Sequence, residues 1–245
     1  MTVTPIRTVC FDFDQTLGYM QPSHWTAYEE AARAAGLDVT AEALAAGGTE
    51  GGWARWSTPL GPVHLDASRS HESFRELRAA LAIERFRAAG VAEGPALLDA
   101  GRRAALIEEE STRYVLYEDT LPALRRLRDT GVTSIIVSNH IWALPEIVGA
   151  LTGDLIAHVI TSARVGVRKP HPAIFEAALA LTSAPPNETL MVGDSVSADV
   201  RGAERAGMRA VLLDRTGTMS PPEDVRVIRS LLDVPLEWVT NGGRE

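Results

Sequence analysis

The chain contains very little cysteine, and this excludes some classes of fold and site. Cys10 is the only cysteine among 245 residues, so no intrachain disulfide can form, and no group of Cys and His has the spacing of a zinc site. Because Cys10 stands inside a short apolar run, we expect a small buried side chain rather than a reactive thiol. A disulfide-stabilised domain is therefore excluded, and a zinc site is not expected.

Long apolar runs and excess positive charge are also missing. No stretch approaches the roughly 18 apolar residues of a membrane span, and the N-terminus has no apolar run of signal-peptide length. The formal net charge is -8, whereas nucleic-acid-binding domains usually carry a basic patch. We therefore expect a cytoplasmic protein with no nucleic-acid or membrane partner, although a local cationic pocket for phosphate stays possible. The oligomeric state is left open.

Two acids that follow a short apolar run are the most informative feature of the chain. Val9, Cys10 and Phe11 are typical of a buried strand, and Asp12 and Asp14 come directly after it. Acids at a strand end are costly unless a cation or a reaction uses them, and the carboxyl ends of strands in open α/β sheets are where ligands bind. The pair alone is weak support, since two acids one residue apart are common in solvated loops.

Three later segments add polar residues at comparable places. In residues 135–139, an apolar run is followed by Ser138 and Asn139. Residues 168–172 place Lys169 just before a helix. Residues 190–194 are an apolar run that ends in Asp194. Asp199 follows five residues after Asp194. The order along the chain is therefore acid pair, serine, lysine and a second pair of acids.

That order resembles the haloacid dehalogenase superfamily, whose members are mostly phosphatases. Residues 12–17 resemble its first motif, Ser138 its second, Lys169 its third, and residues 193–195 with Asp199 its fourth. Four motifs in the right order are a specific signal, and any one of them alone is not. The resemblance covers about the first 17 residues and everything after about residue 118, but not the segment between them.

The pattern of elements predicts an α/β fold, a Rossmann-like parallel-sheet core with an α-helical cap domain. Alternating strands and helices imply a parallel sheet covered on both faces. The predicted strands are residues 7–12, 133–137, 155–160, 189–192 and 210–213, and the helices between them are 119–128, 142–151, 171–181 and 198–206. From residue 18 to 117 the strand pattern disappears and helices are predicted at 25–35, 72–88 and 96–110. We therefore assign 1–17 and 118–245 to the core and 18–117 to the cap.

The resemblance implies roles for the acids. Asp12 would be the nucleophile that forms an aspartyl-phosphate, and Asp14 would protonate the leaving alcohol and then activate water. Asp12, the backbone carbonyl of Asp14, and Asp194 would hold a metal, for which hard oxygen ligands favour Mg²⁺. Asp199 is grouped with the metal residues, but it could equally hold the lysine or stand in the first turn of a helix.

The remaining motif residues would bind the phosphate. Lys169 would neutralise the phosphate and Asp12, with Arg168 as its rival, and Ser138 would donate its hydroxyl to a phosphate oxygen. Asn139 is placed with this group and would also shape the loop. His171 is interpreted as a residue at a helix N-terminus.

One residue of the first motif and three residues of the cap are candidates to contact the rest of the substrate. Gln15 stands where many relatives have glycine, and places a long amide near the mouth of the site. In the cap, Trp53, Arg55 and Trp56 could close over a substrate, with Arg55 holding an anion, or the tryptophans could simply be cap core and Arg55 a surface charge.

The sequence therefore predicts a Mg²⁺-dependent phosphatase that hydrolyses a small phosphate monoester through an aspartyl-phosphate. A 2-haloacid dehalogenase would use an aspartate nucleophile without metal, but such relatives usually lack the second acid, which Asp14 supplies here. A phosphomutase would pass the phosphoryl group to a second hydroxyl. A catalytically silent interaction protein is the non-enzymatic alternative, and it would normally have lost one of Asp12, Asp14, Lys169 or Asp194. The sequence leaves the substrate itself undetermined.

Overall fold

The computed structural model describes residues 4–46, 62–235 and 238, with side chains from all of these except 62–64. The elements in chain order are β1 (Thr8–Phe11), β2 (Gly18–Met20), α1 (His24–Ala34), α2 (Ala41–Ala46), α3 (Pro62–Ala67), α4 (His71–Ala88), α5 (Pro95–Ile107), β3 (Tyr114–Leu116), α6 (Thr120–Asp129), β4 (Thr133–Ser138), α7 (Leu144–Thr152), β5 (His158–Thr161), α8 (Ser162–Val165), α9 (Pro172–Ala180), β6 (Thr189–Gly193), α10 (Arg201–Arg205), β7 (Arg209–Leu213) and β8 (Val227–Ile228). A π-helical turn, Val196–Val200, leads directly into α10.

Six strands form one parallel sheet in the order β5-β4-β1-β6-β7-β8. β1 lies between β4 and β6, and Phe11 is in register with Ile136 on one side and Val192 on the other. The carboxyl ends of these three strands therefore meet at one edge of the sheet. This arrangement confirms the predicted α/β class.

Both faces of the sheet are buried, which explains why its strands are continuous apolar runs. Side chains alternate along β1, so Val9 and Phe11 join the hydrophobic cluster on one face and Cys10 joins the cluster on the other. Cys10 is fully buried, and burial raises the pKa of its thiol to about 12. It is thus the inert core residue that the sequence predicts.

The described helices between residues 24 and 107, here called the helical segment, build a hydrophobic cluster of their own. Its fully buried members include Tyr28, Leu44, Phe86 and Leu97. α4 and α5 pack closely because Gly101 has no side chain, and a Cβ there would lie 2.4 Å from Cγ1 of Ile83. None of the helices in the described ranges is both long and apolar enough to cross a membrane.

The prediction that strands are absent between residues 18 and 117 is wrong at both ends of that range. β2 and β3 form an antiparallel pair, with Gly18 in register with Leu116 and Met20 with Tyr114. Each strand has only three residues, which is too short to show the period-two pattern by which a strand is recognised. The pair lies where the chain leaves the sheet and where it returns.

The other predicted elements occur with shifted ends. His171 is the N-cap of α9, where Nδ1 accepts a hydrogen bond from the Ala173 amide at 3.2 Å, as the sequence predicts. The helix expected at 198–206 is wrong at its start, since a π-helical turn begins at Val196. β8 was not predicted, because two residues carry no pattern. Trp53, Arg55 and Trp56 lie outside the described residues.

Candidate functional site

The loop after β1 is a tight turn that presents both acids of the first motif. The Asp12 amide donates to the Val192 carbonyl at 2.9 Å and so extends the sheet by one residue. The Phe13 carbonyl then accepts from the amides of Leu17 and Gly18 at 2.8 and 3.1 Å, which closes the turn. The Asp12 side chain is 14% exposed and that of Asp14 51%. Asp12 is thus held at the sheet edge, and the side chain of Asp14 is accessible from solvent.

A buried lysine joins the first and fourth motifs. Lys169 Nζ lies 2.9 Å from Asp12 Oδ1 and 2.6 Å from Asp199 Oδ1, and 1% of its side chain is exposed. Burial opposes the charged form, but the two carboxylates raise the pKa of Lys169 above its ordinary value. Lys169 is the single lysine of the chain. The other 23 of its 24 Lys and Arg residues are arginine. That scarcity is a signal by which the sequence could have singled it out.

The loop that carries the lysine is held by the residue after Ser138. The Asn139 amide nitrogen donates to the Lys169 carbonyl at 3.0 Å, and its oxygen accepts from the Lys169 amide at 2.7 Å. Because both ends of this amide are engaged, the geometry favours the loop-shaping role of Asn139 over a phosphate contact. Ser138 itself ends β4 and is 1% exposed.

Three carboxylates converge on one point at this edge of the sheet. Asp12, Asp194 and Asp199 each offer an oxygen, and these oxygens lie within 4.8 Å of one another. Burial raises the pKa of Asp194 to about 7, helped by the charges of Asp12 and Asp199. It also raises the pKa of Asp199 to about 6, although Lys169 opposes that shift. A hard divalent cation bound among these acids would stabilise their ionised forms, which their mutual repulsion and burial disfavour. These residues therefore fit Mg²⁺.

The two oxygens of Asp199 are already engaged. Oδ1 accepts from Lys169, and Oδ2 accepts from the Ser195 amide at 3.0 Å. Of the alternatives that the sequence left open for Asp199, anchoring the lysine is the one these contacts favour. Asp12 and Asp194 then remain as the side chains with the most freedom to take a cation.

The raised pKa of Asp194 predicts a specific pH dependence. Its folded pKa of about 7 exceeds the ordinary value of 3.8, so between these values the folded state binds more protons than the unfolded state, and stability falls as pH rises. In metal-free protein, Asp194→Asn should therefore raise Tm relative to wild type at pH 8, but much less at pH 5. Each kcal/mol corresponds to about 2–4 °C in a chain of this size.

Thermal unfolding at both pH values, with and without Mg²⁺, checks this. Mg²⁺ should raise the wild-type Tm more at pH 8 than at pH 5, and should raise that of the Asp194→Asn variant less. A Mg²⁺ shift that is equal in the two proteins would contradict the assignment of Asp194 as a ligand.

Gly193 gives Asp199 the space it needs. A Cβ at Gly193 would lie 2.3 Å from both Cγ and Oδ2 of Asp199, so Gly193→Ala must displace that carboxylate. We expect kcat to fall about 10²-fold, because Lys169 loses its anchor and the site its geometry. Gly149→Ala is the matched control, since a Cβ at this position in α7 meets nothing within 4 Å. Equal activities of the two variants would show that the position of Asp199 is unimportant.

His140 is a site residue that sequence reasoning missed. Its Nε2 lies 3.4 Å from Asp14 Oδ2, and its ring packs edge-on against Phe13. Although half of the Asp14 side chain is exposed, the loss of solvation in the concave site would raise its pKa, but His140, His24 and Lys169 outweigh this effect and hold that pKa below its ordinary value. The sequence offered one signal, since His140 is two residues past Ser138 in the second motif.

A cavity of about 840 Å³ opens beside Asp14, between the motif loops and the helical segment. Its lining includes Arg168 and His140 from the motif loops, and a wall formed by Arg78 and Glu108. Arg78 Nε donates to Glu108 Oε2 at 2.7 Å, and a second guanidinium nitrogen contacts Oε1, so a buried ion pair stiffens that wall. Arg168 faces the cavity, whereas the buried contact with Asp12 is made by Lys169. The geometry therefore favours Lys169 over its rival.

Known proteins are similar to this chain over most of its length. A family model described as haloacid dehalogenase-like hydrolase matches residues 6–207. The phosphoserine phosphatase of Thermus thermophilus is 35% identical over 193 residues, which cover 76% of this chain and 73% of that protein.

Two solved structures show the same fold over nearly the whole chain. The HAD-hydrolase YfnB of Bacillus subtilis, bound to magnesium, is 19% identical with a TM-score of 0.67, covering 97% of this chain and 100% of that one. The 2-haloacid dehalogenase of Pseudomonas syringae is 25% identical with a TM-score of 0.63, covering 96% and 98%. Since the family model spans most of the chain and the described motif residues meet at one sheet edge, the chain belongs to the haloacid dehalogenase-like hydrolase family.

Proposed function

We propose that this protein is a Mg²⁺-dependent phosphatase that hydrolyses a small phosphate monoester in the cytoplasm through an aspartyl-phosphate intermediate. The observation that carries the proposal is the convergence of Asp12, Lys169 and the acids Asp194 and Asp199 beside a cavity that Asp14 lines. A phosphate monoester dianion repels nucleophiles, so its hydrolysis needs countercharge, an in-line nucleophile and a proton for the leaving oxygen. These residues supply all three.

The proposed reaction assigns one task to each side chain. Asp12 attacks phosphorus with a carboxylate oxygen and forms the aspartyl-phosphate as the ester P–O bond breaks. Asp14, which must first take up a proton against its lowered pKa, gives that proton to the departing alcohol. Asp14 then takes a proton from the water that hydrolyses the intermediate. Lys169, 2.9 Å from Asp12 Oδ1, offsets the charge of the phosphoryl oxygens, and the Ser138 hydroxyl binds one of those oxygens.

Asp12, Asp194 and the backbone carbonyl of Asp14 would hold Mg²⁺, with Asp199 holding Lys169. The cation would supply positive charge against the phosphate oxygens and would favour the ionised form of Asp194. The raised pKa of Asp194 supports this, because without a cation one proton stays on the acid cluster near neutral pH.

We infer that residues 18–117 act as a cap that covers the site during the reaction. Support comes from the separate hydrophobic cluster of the helical segment and from the two strands, β2 and β3, that connect it to the sheet. A cap placed over the cavity would exclude water and select the alcohol part of the substrate.

The rival enzyme classes fit the site less well. A dehalogenase has no need of a general acid for an alcohol or of a divalent cation, yet Asp14 faces the opening and three carboxylates converge behind it. A phosphomutase would use the same residues as a phosphatase, so only products separate the two. A catalytically silent interaction protein would not require Lys169 to be buried between Asp12 and Asp199.

The first experiment is phosphate release from a panel of esters, with Mg²⁺ and with EDTA. The panel holds sugar phosphates, nucleotides, small organic-acid phosphates, p-nitrophenyl phosphate and phosphoserine, the last because a relative is named for it. Mg²⁺-dependent release supports the proposal, and the ranking of esters identifies the substrate class. A folded protein that releases phosphate from none of them, but chloride from 2-chloropropionate, would overturn it.

A further inference from the structure

Gln15 has a backbone conformation that glutamine rarely adopts. Its φ is 57°, and among the described residues no other non-glycine has a positive φ. The conformation is maintained by the turn, since the Gln15 amide donates to the Gly18 carbonyl at 3.0 Å. Strained residues of this kind persist where the surrounding structure holds them, and they concentrate at functional sites. The side chain of Gln15 lines the same cavity as Asp14.

The side chain of Gln15 is held in one orientation. The Tyr117 hydroxyl donates to Gln15 Oε1 at 2.9 Å, and burial raises the pKa of Tyr117, so this donor keeps its proton at neutral pH. A carboxamide whose oxygen is engaged presents its two N–H groups as donors. No described group accepts a hydrogen bond from the Gln15 amide nitrogen, which is therefore available to a molecule in the cavity.

Tyr117 is in turn held by an arginine that also supports the motif loop. The Arg215 guanidinium lies over the Tyr117 ring, 3.9 Å from its centroid, and donates to the Thr16 carbonyl at 2.7 Å. Two further hydrogen bonds of 3.1 and 3.0 Å join it to Asp119, which also accepts from the Ser230 hydroxyl at 2.7 Å. One connected set of contacts thus fixes both the backbone and the side chain of the first motif.

We propose that Gln15 is a specificity-determining residue that donates a hydrogen bond to an oxygen on the alcohol part of the substrate, next to the phosphorylated carbon. Tyr117 and Arg215 are positioning residues that aim this donor. The inference rests on the proposed phosphatase function and deepens it. It places the substrate among esters with a hydroxyl, carbonyl or carboxylate oxygen beside the ester carbon, because Gln15 directly follows the acid that serves the ester oxygen.

Two esters that differ by one hydroxyl test the proposal. Wild-type protein with Mg²⁺ should hydrolyse 2-hydroxyethyl phosphate with a kcat/KM about 3- to 10-fold above that for ethyl phosphate, the value of one neutral hydrogen bond. Gln15→Leu and Gln15→Gly should both lose this preference, so that the ratio of the two kcat/KM values falls to about 1 in each variant. Glycine adopts a positive φ without strain, whereas leucine does not. A loss of the hydroxyl preference in both variants is therefore due to the missing amide and not to backbone strain.

The positioning role of Tyr117 can be tested separately from the hydrogen bond of Gln15. Tyr117→Phe keeps the ring under Arg215 but removes the donor, and should raise KM for 2-hydroxyethyl phosphate without changing kcat for ethyl phosphate. Tyr19→Phe is the matched control, since Tyr19 also lines the cavity and its ring lies 4.9 Å from that of Tyr117. A wild type that is active but indifferent to the hydroxyl, or variants that slow both esters equally, overturns this inference alone. A wild type inactive on every ester overturns the phosphatase function and this inference together.

Discussion

Replacing Asp12 with asparagine should lower kcat by about 10⁴-fold or more, because an amide cannot attack phosphorus to form the aspartyl-phosphate. The fold should survive the change. Asparagine has nearly the same shape, its oxygen can still lie beside Lys169 Nζ, and one negative charge leaves a cluster in which acids already repel one another. Steady-state phosphate release and circular dichroism measure the two effects separately.

Asp154→Asn provides the control for Asp12. The Asp154 side chain is 91% exposed and lies 3.6 Å from an Arg128 nitrogen at the surface, so its loss should leave kcat unchanged. If Asp12→Asn retained activity within about 10-fold of this control, Asp12 could not be the nucleophile.

Replacing Lys169 with methionine should damage both activity and stability. Asp12 and Asp199 would lose the cation between them, and breaking a buried ion pair from one side costs about 3–5 kcal/mol of unfolding free energy. We expect kcat to fall about 10³-fold, since the phosphate and nucleophile both lose their countercharge. Denaturant unfolding at pH 8 and kinetics with saturating Mg²⁺ test these expectations.

The pH dependence of the Lys169→Met variant separates charge from packing. Without the lysine, the pKa of Asp199 should rise further, so the loss of stability should shrink as pH falls and the carboxyls become protonated. Lys169→Arg is the companion variant: it keeps the charge but cannot fit its planar group where only 1% of the lysine side chain is exposed. A loss of stability in Lys169→Met that is the same at pH 5 and pH 8 would argue against buried charge as its cause.

Much of the fold could be predicted because the central strands are distinctive in the sequence. β1, β4 and β6 are covered on both faces, so each is largely an apolar run. A polar site residue ends β4 (Ser138) or directly follows β1 (Asp12) and β6 (Asp194). β2, β3 and β8 are two or three residues long and are stabilised by partners elsewhere in the chain rather than by any local pattern. A helix that begins with a π-helical turn likewise lacks the regular period on which prediction depends.

The sequence by itself determined the sheet class, the order of the motifs and the placement of Asp12, Ser138, Lys169 and Asp194 at strand ends or loops, because apolar runs and turn residues act over a few positions. Only the tertiary structure decided which of these side chains meet. The contacts of Lys169 with Asp199, of Asn139 with the lysine loop and of Arg215 with the first motif join residues about 30 or about 200 positions apart. Such partners depend on sheet register and on the packing of whole elements, which no local pattern records.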